Sequence, residues 1–273
     1  MAFASADGVD LYYELHGDAG DHLVFIHGYT GDTSDWLHQV AEFATSYRVL
    51  VLDNRGHGKS EASTDRGAYG VDRMTADLTE LTDKLGINRY HLVGHSMGGA
   101  IAQEIALQSP GRLISLTLHD TSYSFSARKA HPAVAAWIEN RFRVAETQGM
   151  RAVADMKSPL PPPPHMPEER LKETTERLAR MSVDAFIGAW KGLAAWEGTA
   201  ERAHAIAAPT LVVYGDQDSA PITKGSEKLA DMIPNAQLHA IPECGHSPNW
   251  ERPKLFNDAL DSFLRSTISG NGA

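Results

Sequence analysis

Residues 91–100 read HLVGHSMGGA, and this stretch decides the fold. A short apolar run, typical of a buried strand, leads into Gly94, and a helical pattern begins after Gly99. Between them, Gly94, Ser96 and Gly98 form a G-x-S-x-G pattern, which describes a sharp turn that exposes one serine at the top of a sheet. Small residues flank the serine because a strained turn brings backbones together. The stretch therefore predicts that Ser96 lies in a strand-to-helix turn.

Short apolar runs alternate with amphipathic segments along most of the chain. In Val71–Leu85, apolar residues recur at spacings of three and four, which predicts a helix with one buried face. Helices between successive apolar strands favour a parallel sheet that is covered on both faces. The predicted strands are Leu11–Glu14, Leu23–Ile26, Tyr47–Leu52, His91–Val93, Leu113–Leu118, Thr210–Tyr214 and Gln237–Ile241.

The alternation stops between residues 121 and 200, where no strand-like run occurs. Helical patterns cover Pro132–Thr147, Glu168–Met181 and Val183–Trp196. The proline-rich segment Ser158–Pro167 interrupts them, because a proline run fits neither a helix interior nor an inner strand. This pattern predicts an α/β core formed by residues 1–120 and 201–273, with residues 121–200 as a helical insertion.

The composition narrows the class of protein. The 273 residues include 25 Lys and Arg against 35 Asp and Glu, which gives a formal net charge of −10. This acidic balance argues against a nucleic-acid-binding surface. No apolar run approaches the roughly 20 residues that cross a bilayer, and the first residues do not resemble a secretory signal. Cys244 is the only cysteine, so no internal disulfide can form; we expect a cytoplasmic protein without a nucleic-acid or membrane partner.

Four further motifs occur in an order that resembles the α/β-hydrolase superfamily over nearly the whole chain. They are LVFIHGYTG at Leu23–Gly31, VLDNRGHGKS at Val51–Ser60, LVVYGDQD at Leu211–Asp218 and AIPECGHSP at Ala240–Pro248. The resemblance implies an α/β-hydrolase fold, with a mostly parallel eight-stranded sheet flanked by helices. It also implies that the insertion is a helical cap placed after the sixth strand.

The candidate catalytic residues follow from the chemistry of serine together with this resemblance. A serine hydroxyl becomes a good nucleophile when a neighbouring base takes its proton, and His246, in a loop after a strand, is the predicted base for Ser96. The imidazole needs an acceptor on its other nitrogen. The family's order of Ser, then Asp, then His indicates Asp218. Asp120 is the alternative acid, because some family members take the acid from the preceding strand.

The remaining site predictions concern the oxyanion and the pocket. A tetrahedral intermediate needs two hydrogen-bond donors, which we assign to the backbone N–H groups of Tyr29 and Met97. A helical insertion above such a serine is expected to form the roof of the pocket, and its predicted aromatic lining residues are Trp190, Tyr123, Trp137 and Phe186. No Cys or His cluster has metal-ligand spacing and no phosphate-binding glycine motif is present, so we expect no metal and no cofactor.

The residue at the nucleophile position limits the reaction. Relatives with halide or epoxide chemistry carry aspartate there, whereas this chain carries Ser96. The resemblance to small carboxylesterases and 3-oxoadipate enol-lactonases favours hydrolysis of a small-molecule ester or lactone through an acyl-enzyme. Hydrolysis of carbon–carbon bonds in ring-cleavage products is one alternative. A hydrolase-like ligand sensor that keeps the triad is another, and repeated turnover of a small ester would distinguish an enzyme from such a sensor.

Overall fold

A computed structural model describes residues 2–125, 132–157 and 163–269 of the chain, so part of the predicted proline-rich segment lies outside the described residues. Eight strands form one sheet. They are β1 (Ala2–Ala6), β2 (Val9–His16), β3 (His22–Ile26), β4 (Arg48–Leu52), β5 (Tyr90–His95), β6 (Leu113–His119), β7 (Thr210–Gly215) and β8 (Ala236–Ile241). Strands β2 to β8 correspond to the seven predicted strands, whereas β1 is not among those predicted.

The strands are arranged in the order β1-β2-β4-β3-β5-β6-β7-β8. Strand β2 pairs antiparallel with both β1 and β4, and all other neighbours pair parallel. The predicted α/β-hydrolase fold, with a mostly parallel eight-stranded sheet, is confirmed. Because β3 to β8 run in the same direction, their carboxyl ends lie at one edge of the sheet, where ligand sites of open α/β sheets form.

Helices cover both faces of the sheet. They are α1 (Leu37–Phe43), α2 (Val71–Lys84), α3 (Met97–Gln108), α4 (Pro132–Ala154), α5 (Glu168–Arg180), α6 (Val183–Ala195), α7 (Ala220–Met232), α8 (Pro248–Glu251) and α9 (Pro253–Ser269). Within the described ranges, none of the helices combines the length and the apolar character needed to cross a membrane.

Strand β3 explains why the central strands are continuously apolar. Side chains of a strand alternate between the two faces of the sheet. Leu23 and Phe25 pack in one apolar cluster with α1 and α9, whereas Val24 and Ile26 pack in the other with α2 and α3. All four side chains are fully buried. A strand with helices on both faces has no solvent-facing side and therefore needs no polar alternation.

Helices α4, α5 and α6 lie between β6 and β7, and the described part of residues 121–200 contains no strand. Helix α4 is interrupted at Gly149, whose φ of 83° and ψ of 174° are not helical. The three helices pack against one another through an apolar cluster of their own, which includes Phe142, Val153 and Ile187. This segment is therefore a layer of helices with its own small core.

Ion pairs join α5 to the turn that precedes α1. Arg170 and Arg177 both bind the carboxylate of Asp35, and Arg177 also lies 3.0 Å from Asp32 Oδ1. Burial opposes the ionisation of Asp35, but the two guanidinium groups outweigh it and lower its pKa to about 2. Asp35 is therefore a buried anion that connects the helical segment to the core.

Candidate active site

Ser96 lies in a strained turn between β5 and α3. Its φ of 51° and ψ of −109° are unfavourable for a residue with a side chain. The Ser96 N–H donates to the carbonyl oxygen of His119 at 2.9 Å, which holds the turn against the end of β6. A Cβ on Gly94 would lie 2.3 Å from the Gly98 oxygen, and one on Gly98 would lie 2.4 Å from the Ile26 oxygen. The two glycines of the G-x-S-x-G pattern are thus required by backbone contacts.

Other residues that follow strands at the same edge of the sheet also have a left-handed backbone. Thr30, in the loop after β3, has a φ of 62°, and Asp120, directly after β6, has a φ of 42°. A left-handed conformation is rare for a β-branched residue such as threonine. Strain of this kind concentrates at functional sites, where the surrounding structure holds it in place.

His246 and Asp218 are joined by a hydrogen bond between neighbouring loops. Asp218 follows β7, His246 follows β8, and His246 Nδ1 lies 2.6 Å from Asp218 Oδ2. Burial raises the pKa of Asp218, but the charge and hydrogen bond of His246 have the opposite effect and leave that pKa at about 2. Asp218 is therefore ionised and accepts the proton on Nδ1, which leaves Nε2 free as a base.

Asp120, the alternative acid, lies beside Asp218, and its two oxygens also contact the end of β7 and His119. It is completely buried, its Oδ1 accepts the N–H of Gly215 at 3.0 Å, and its Oδ2 lies 2.7 Å from His119 Nδ1. Burial, reinforced by the negative charge of Asp218, raises the pKa of Asp120 well above its usual value. The two neighbouring carboxyl groups cannot both ionise easily, and Asp120 is the one that stays neutral.

The hydrogen bonds around His119 support a proton on Asp120. His119 Nε2 lies 3.1 Å from Asn249 Oδ1, and the Asn249 amide nitrogen donates to the carbonyl oxygen of Asp35 at 2.8 Å. These contacts fix Asn249 Oδ1 as an acceptor and assign a hydrogen to His119 Nε2. Burial lowers the pKa of His119, so the ring is neutral and its Nδ1 is an acceptor facing Asp120.

The His95 ring contacts the backbone of His246, and the sequence does not indicate this contact. Its Nε2 lies 2.8 Å from the carbonyl oxygen of His246, and the two ring centroids are 4.9 Å apart. Burial lowers the pKa of His95 to about 3, so this ring is a neutral donor. Within the described residues, no hydrogen bond joins Ser96 Oγ to the His246 ring; such bonds often form only when substrate is bound.

The two predicted oxyanion donors belong to the start of α3 and to the loop after β3, both of which adjoin Ser96. Met97 is the first residue of α3, so its N–H belongs to the helix end that has no intrahelical acceptor. Tyr29 follows Gly28, and a Cβ on Gly28 would lie 3.2 Å from the Cβ of Ser96. The loop after β3 therefore passes directly beside the serine.

Three of the four predicted pocket residues gather near Tyr29. The Phe186 ring is stacked on the Tyr29 ring with centroids 5.6 Å apart, the Trp190 centroid lies 5.4 Å from it, and Trp137 belongs to the same cluster. The Tyr29 hydroxyl donates to the carbonyl oxygen of Phe186 at 2.7 Å. Tyr123 belongs to a different cluster. It packs against the apolar core that contains Val24 and Ile26, and a lysine ammonium of α7 lies 5.0 Å from its ring centroid.

Cavities border the helical segment. One of about 750 Å³ lies between α5 and the loops after β3 and β4, and its lining includes Thr30, His57 and Arg177. Another of about 310 Å³ lies between α4 and α6 and is lined by Trp190 and other mostly apolar residues. Neither of these two linings includes Ser96, which is 4% exposed.

Asp120, Asp218 and His246 are also the described group with the geometry closest to a metal site, since one donor atom of each lies within 4.8 Å of the others. Asp218 and His246 already share a hydrogen bond, and burial raises the pKa of Asp120 well above its usual value. A cation at this position would have to displace the hydrogen between Asp218 and His246.

Known proteins resemble this chain over most of its length. A family model described as alpha/beta hydrolase fold matches residues 21–253. A protein of Variovorax paradoxus (strain S110), named as the carbamate hydrolase RutD, is 31% identical over 264 residues, which cover 93% of this chain and 96% of the relative. The crystal structure of the enol-lactonase from Burkholderia xenovorans LB400 has a TM-score of 0.84 and 28% identity over 97% of this chain and 100% of that chain.

A thermophilic esterase from Thermogutta terrifontis, with malate bound, has a TM-score of 0.81 and 28% identity, covering 97% of each chain. These proteins match along almost the full length of the sequence, including the segment between β6 and β7. The family model spans strands β3 to β8 and the candidate site together. The chain therefore belongs to the α/β hydrolase fold family.

Proposed function

We propose that the chain is a serine hydrolase that cleaves a carboxylic ester or lactone through an acyl-enzyme on Ser96. The observation that carries this proposal is the hydrogen bond between His246 and an ionised Asp218, at the sheet edge where Ser96 occupies its strained turn. In this proposal Asp218 is the acid of the triad. Asp120 is a neutral neighbour that does not act on His246.

The proposed reaction has two halves. Ser96 Oγ attacks the carbonyl carbon as His246 Nε2 takes its proton, and the ester C–O bond breaks as Nε2 returns that proton to the leaving oxygen. Water then gives a proton to Nε2 and attacks the acyl carbon, and Ser96 leaves with that proton as the acid is released. Asp218 stabilises the imidazolium in both halves, and the N–H groups of Tyr29 and Met97 stabilise the oxyanion.

The relatives support this class of reaction. Their names describe hydrolysis of a carbamate, an enol-lactone and an ester, each at a carbonyl carbon that bears a heteroatom. We infer further that residues 121–200 form a cap above Ser96, on a core of residues 1–120 and 201–273. The aromatic side chains proposed to line its pocket are Trp190, Trp137 and Phe186; Tyr123 packs against a different cluster and is left out of this proposal.

A fluorophosphonate probe tests the nucleophile. It should label Ser96, and Ser96→Ala should abolish labelling and lower kcat for a short-chain ester by at least roughly 10⁴-fold. Ser122→Ala is the matched control: Ser122 is also 4% exposed and follows the neighbouring strand β6. Labelling at Ser122, or normal turnover by Ser96→Ala, would contradict the proposal. The probe also counts the active sites. Many turnovers of ester per counted site, in protein without the probe, would support an enzyme, and one slow turnover with retained ligand would support a sensor.

A further inference from the structure

We propose that Arg141, together with the indole N–H of Trp137, binds a carboxylate group on the substrate. The proposal rests on the ester or lactone hydrolysis proposed for Ser96 and adds a substrate class to it. The substrate would be an ester or lactone whose acyl portion carries a second, ionised carboxyl group.

Arg141 is held between aromatic rings at the inner side of the helical segment. Arg141 and Trp137 are four residues apart on α4 and therefore lie on the same face. The guanidinium carbon lies 4.7 Å from the centroid of the Trp137 ring and 4.9 Å from that of the Phe186 ring. Rings that hold the guanidinium leave its N–H groups available for a bidentate carboxylate.

Both donors lack partners within the described parts of the chain. No carboxylate there forms an ion pair with Arg141, and the Trp137 Nε1 atom is buried without a hydrogen-bond acceptor. Two nearby acidic groups, one on α4 and one on α6, are already engaged, since Glu146 and Asp184 each lie 2.7 Å from Arg66. A partly buried cation beside an unsatisfied N–H is unfavourable unless an anion binds to them.

Tyr29 links this cluster to Ser96 but does not neutralise it. Its ring stacks on Phe186, and the loop that contains it passes beside Ser96. Burial raises the pKa of the Tyr29 phenol well above its usual value, and the nearby charge of Arg141 only partly opposes this. The phenol is therefore neutral, and its hydroxyl hydrogen is used by the Phe186 carbonyl. Tyr29 therefore supplies no negative charge to Arg141.

Two esters of equal chain length test the proposal. Monomethyl glutarate carries a terminal carboxylate where methyl pentanoate carries a methyl group. Arg141→Gln should raise KM for monomethyl glutarate by roughly 10- to 100-fold, the range expected for losing a charge-assisted hydrogen bond, and change kcat/KM for methyl pentanoate by less than about twofold. Trp137→Phe should raise the same KM by a smaller factor, about threefold to tenfold. Arg143→Gln, an exposed position on the same helix, is the charge-matched control.

Binding of glutarate to the Ser96→Ala protein, measured by calorimetry, separates this proposal from the proposed function. Loss of glutarate binding in Ser96→Ala/Arg141→Gln, with thermal stability unchanged, supports the carboxylate site even if the catalytic role of Ser96 fails. Equal losses for both esters in Arg141→Gln would indicate a packing role and overturn the proposal. An Arg143→Gln effect as large as that of Arg141→Gln would also overturn it.

Discussion

Replacing either of the two neighbouring aspartates by asparagine distinguishes the catalytic acid from its neutral neighbour. The two carboxylate oxygens of Asp218 have different partners. Its Oδ1 accepts from the Ser219 N–H at 2.5 Å, and its Oδ2 accepts from His246 Nδ1 at 2.6 Å. An asparagine at 218 keeps its oxygen on the Ser219 N–H and turns its NH₂ group towards His246. That group donates to Nδ1, so the ring proton moves to Nε2, which then cannot take the serine proton.

The expected cost follows from the loss of the correct tautomer. Asp218→Asn should lower kcat by roughly 10⁴-fold, which corresponds to about 5.5 kcal/mol of lost transition-state stabilisation. Asp120→Asn should behave differently. Its oxygen keeps the Gly215 N–H, and its NH₂ group takes the place of Oδ2, which lies 2.7 Å from His119 Nδ1. Because Asp120 is already neutral, its loss of kcat should stay below about tenfold.

The assay should use an unactivated ester, so that proton transfer to the leaving group limits the rate. Release of acid from methyl butyrate, followed by titration at about pH 8, meets this condition. Both variants must unfold at the temperature of the parent protein, which excludes a folding defect. A loss at position 120 equal to or greater than that at 218 would refute both the assignment of Asp218 and the proton placed on Asp120.

Two further predictions concern stability. Burial lowers the pKa of His57 and of His95 to about 3, below the unfolded-state value of about 6.5, so the unfolded chain binds more protons in mild acid. Each of these two histidines should therefore lower the free energy of unfolding by about 1.4 kcal/mol for every pH unit below about pH 6, measured by urea denaturation. A free energy of unfolding that does not change over this pH range would contradict the prediction. Asp35→Asn removes the buried partner of Arg177 and should lower the free energy of unfolding by about 3 kcal/mol. Asp258→Asn, at an exposed pair, should leave urea denaturation unchanged, and equal effects of the two variants would refute the role given to Asp35.

The sheet could be predicted from sequence wherever burial on both faces leaves a continuous apolar run. Strands β3 and β4 are the clearest cases, since nearly every residue is buried. Strand β1 could not be predicted in this way. It is an edge strand of five residues, AFASA, with alternating exposure and with alanine and serine, which have little strand preference. Its position depends on pairing with β2, which the chain forms only in the folded sheet.

The sequence indicated where the candidate site lies more clearly than how its groups are protonated. Glycine spacing predicts the turn at Ser96, because the whole G-x-S-x-G pattern lies within five consecutive residues, although the Ile26 oxygen that requires Gly98 belongs to a distant strand. Asp218 and Asp120 both follow parallel strands at one edge, so spacing leaves both open. Loop contacts separate them: the Gly215 N–H binds Asp120, while the Asp218 N–H binds the Gly215 oxygen at 3.1 Å and leaves its carboxylate for His246.

The groups that the sequence did not indicate act across long distances in the chain. His95 contacts the backbone of His246, 151 residues away, and in sequence it is only a neighbour of Ser96. Arg141 occurs among ordinary helix charges, and its sequence neighbours resemble a solvated helix face. Its distinguishing property is a missing partner: the rings of Trp137 and Phe186 surround its guanidinium and no described carboxylate pairs with it. A missing partner has no sequence pattern, because it depends on which acidic groups the packed helices leave free. For this reason the nucleophile could be predicted from its motif, whereas the proposed substrate charge had to be inferred from the packing of α4 against α6.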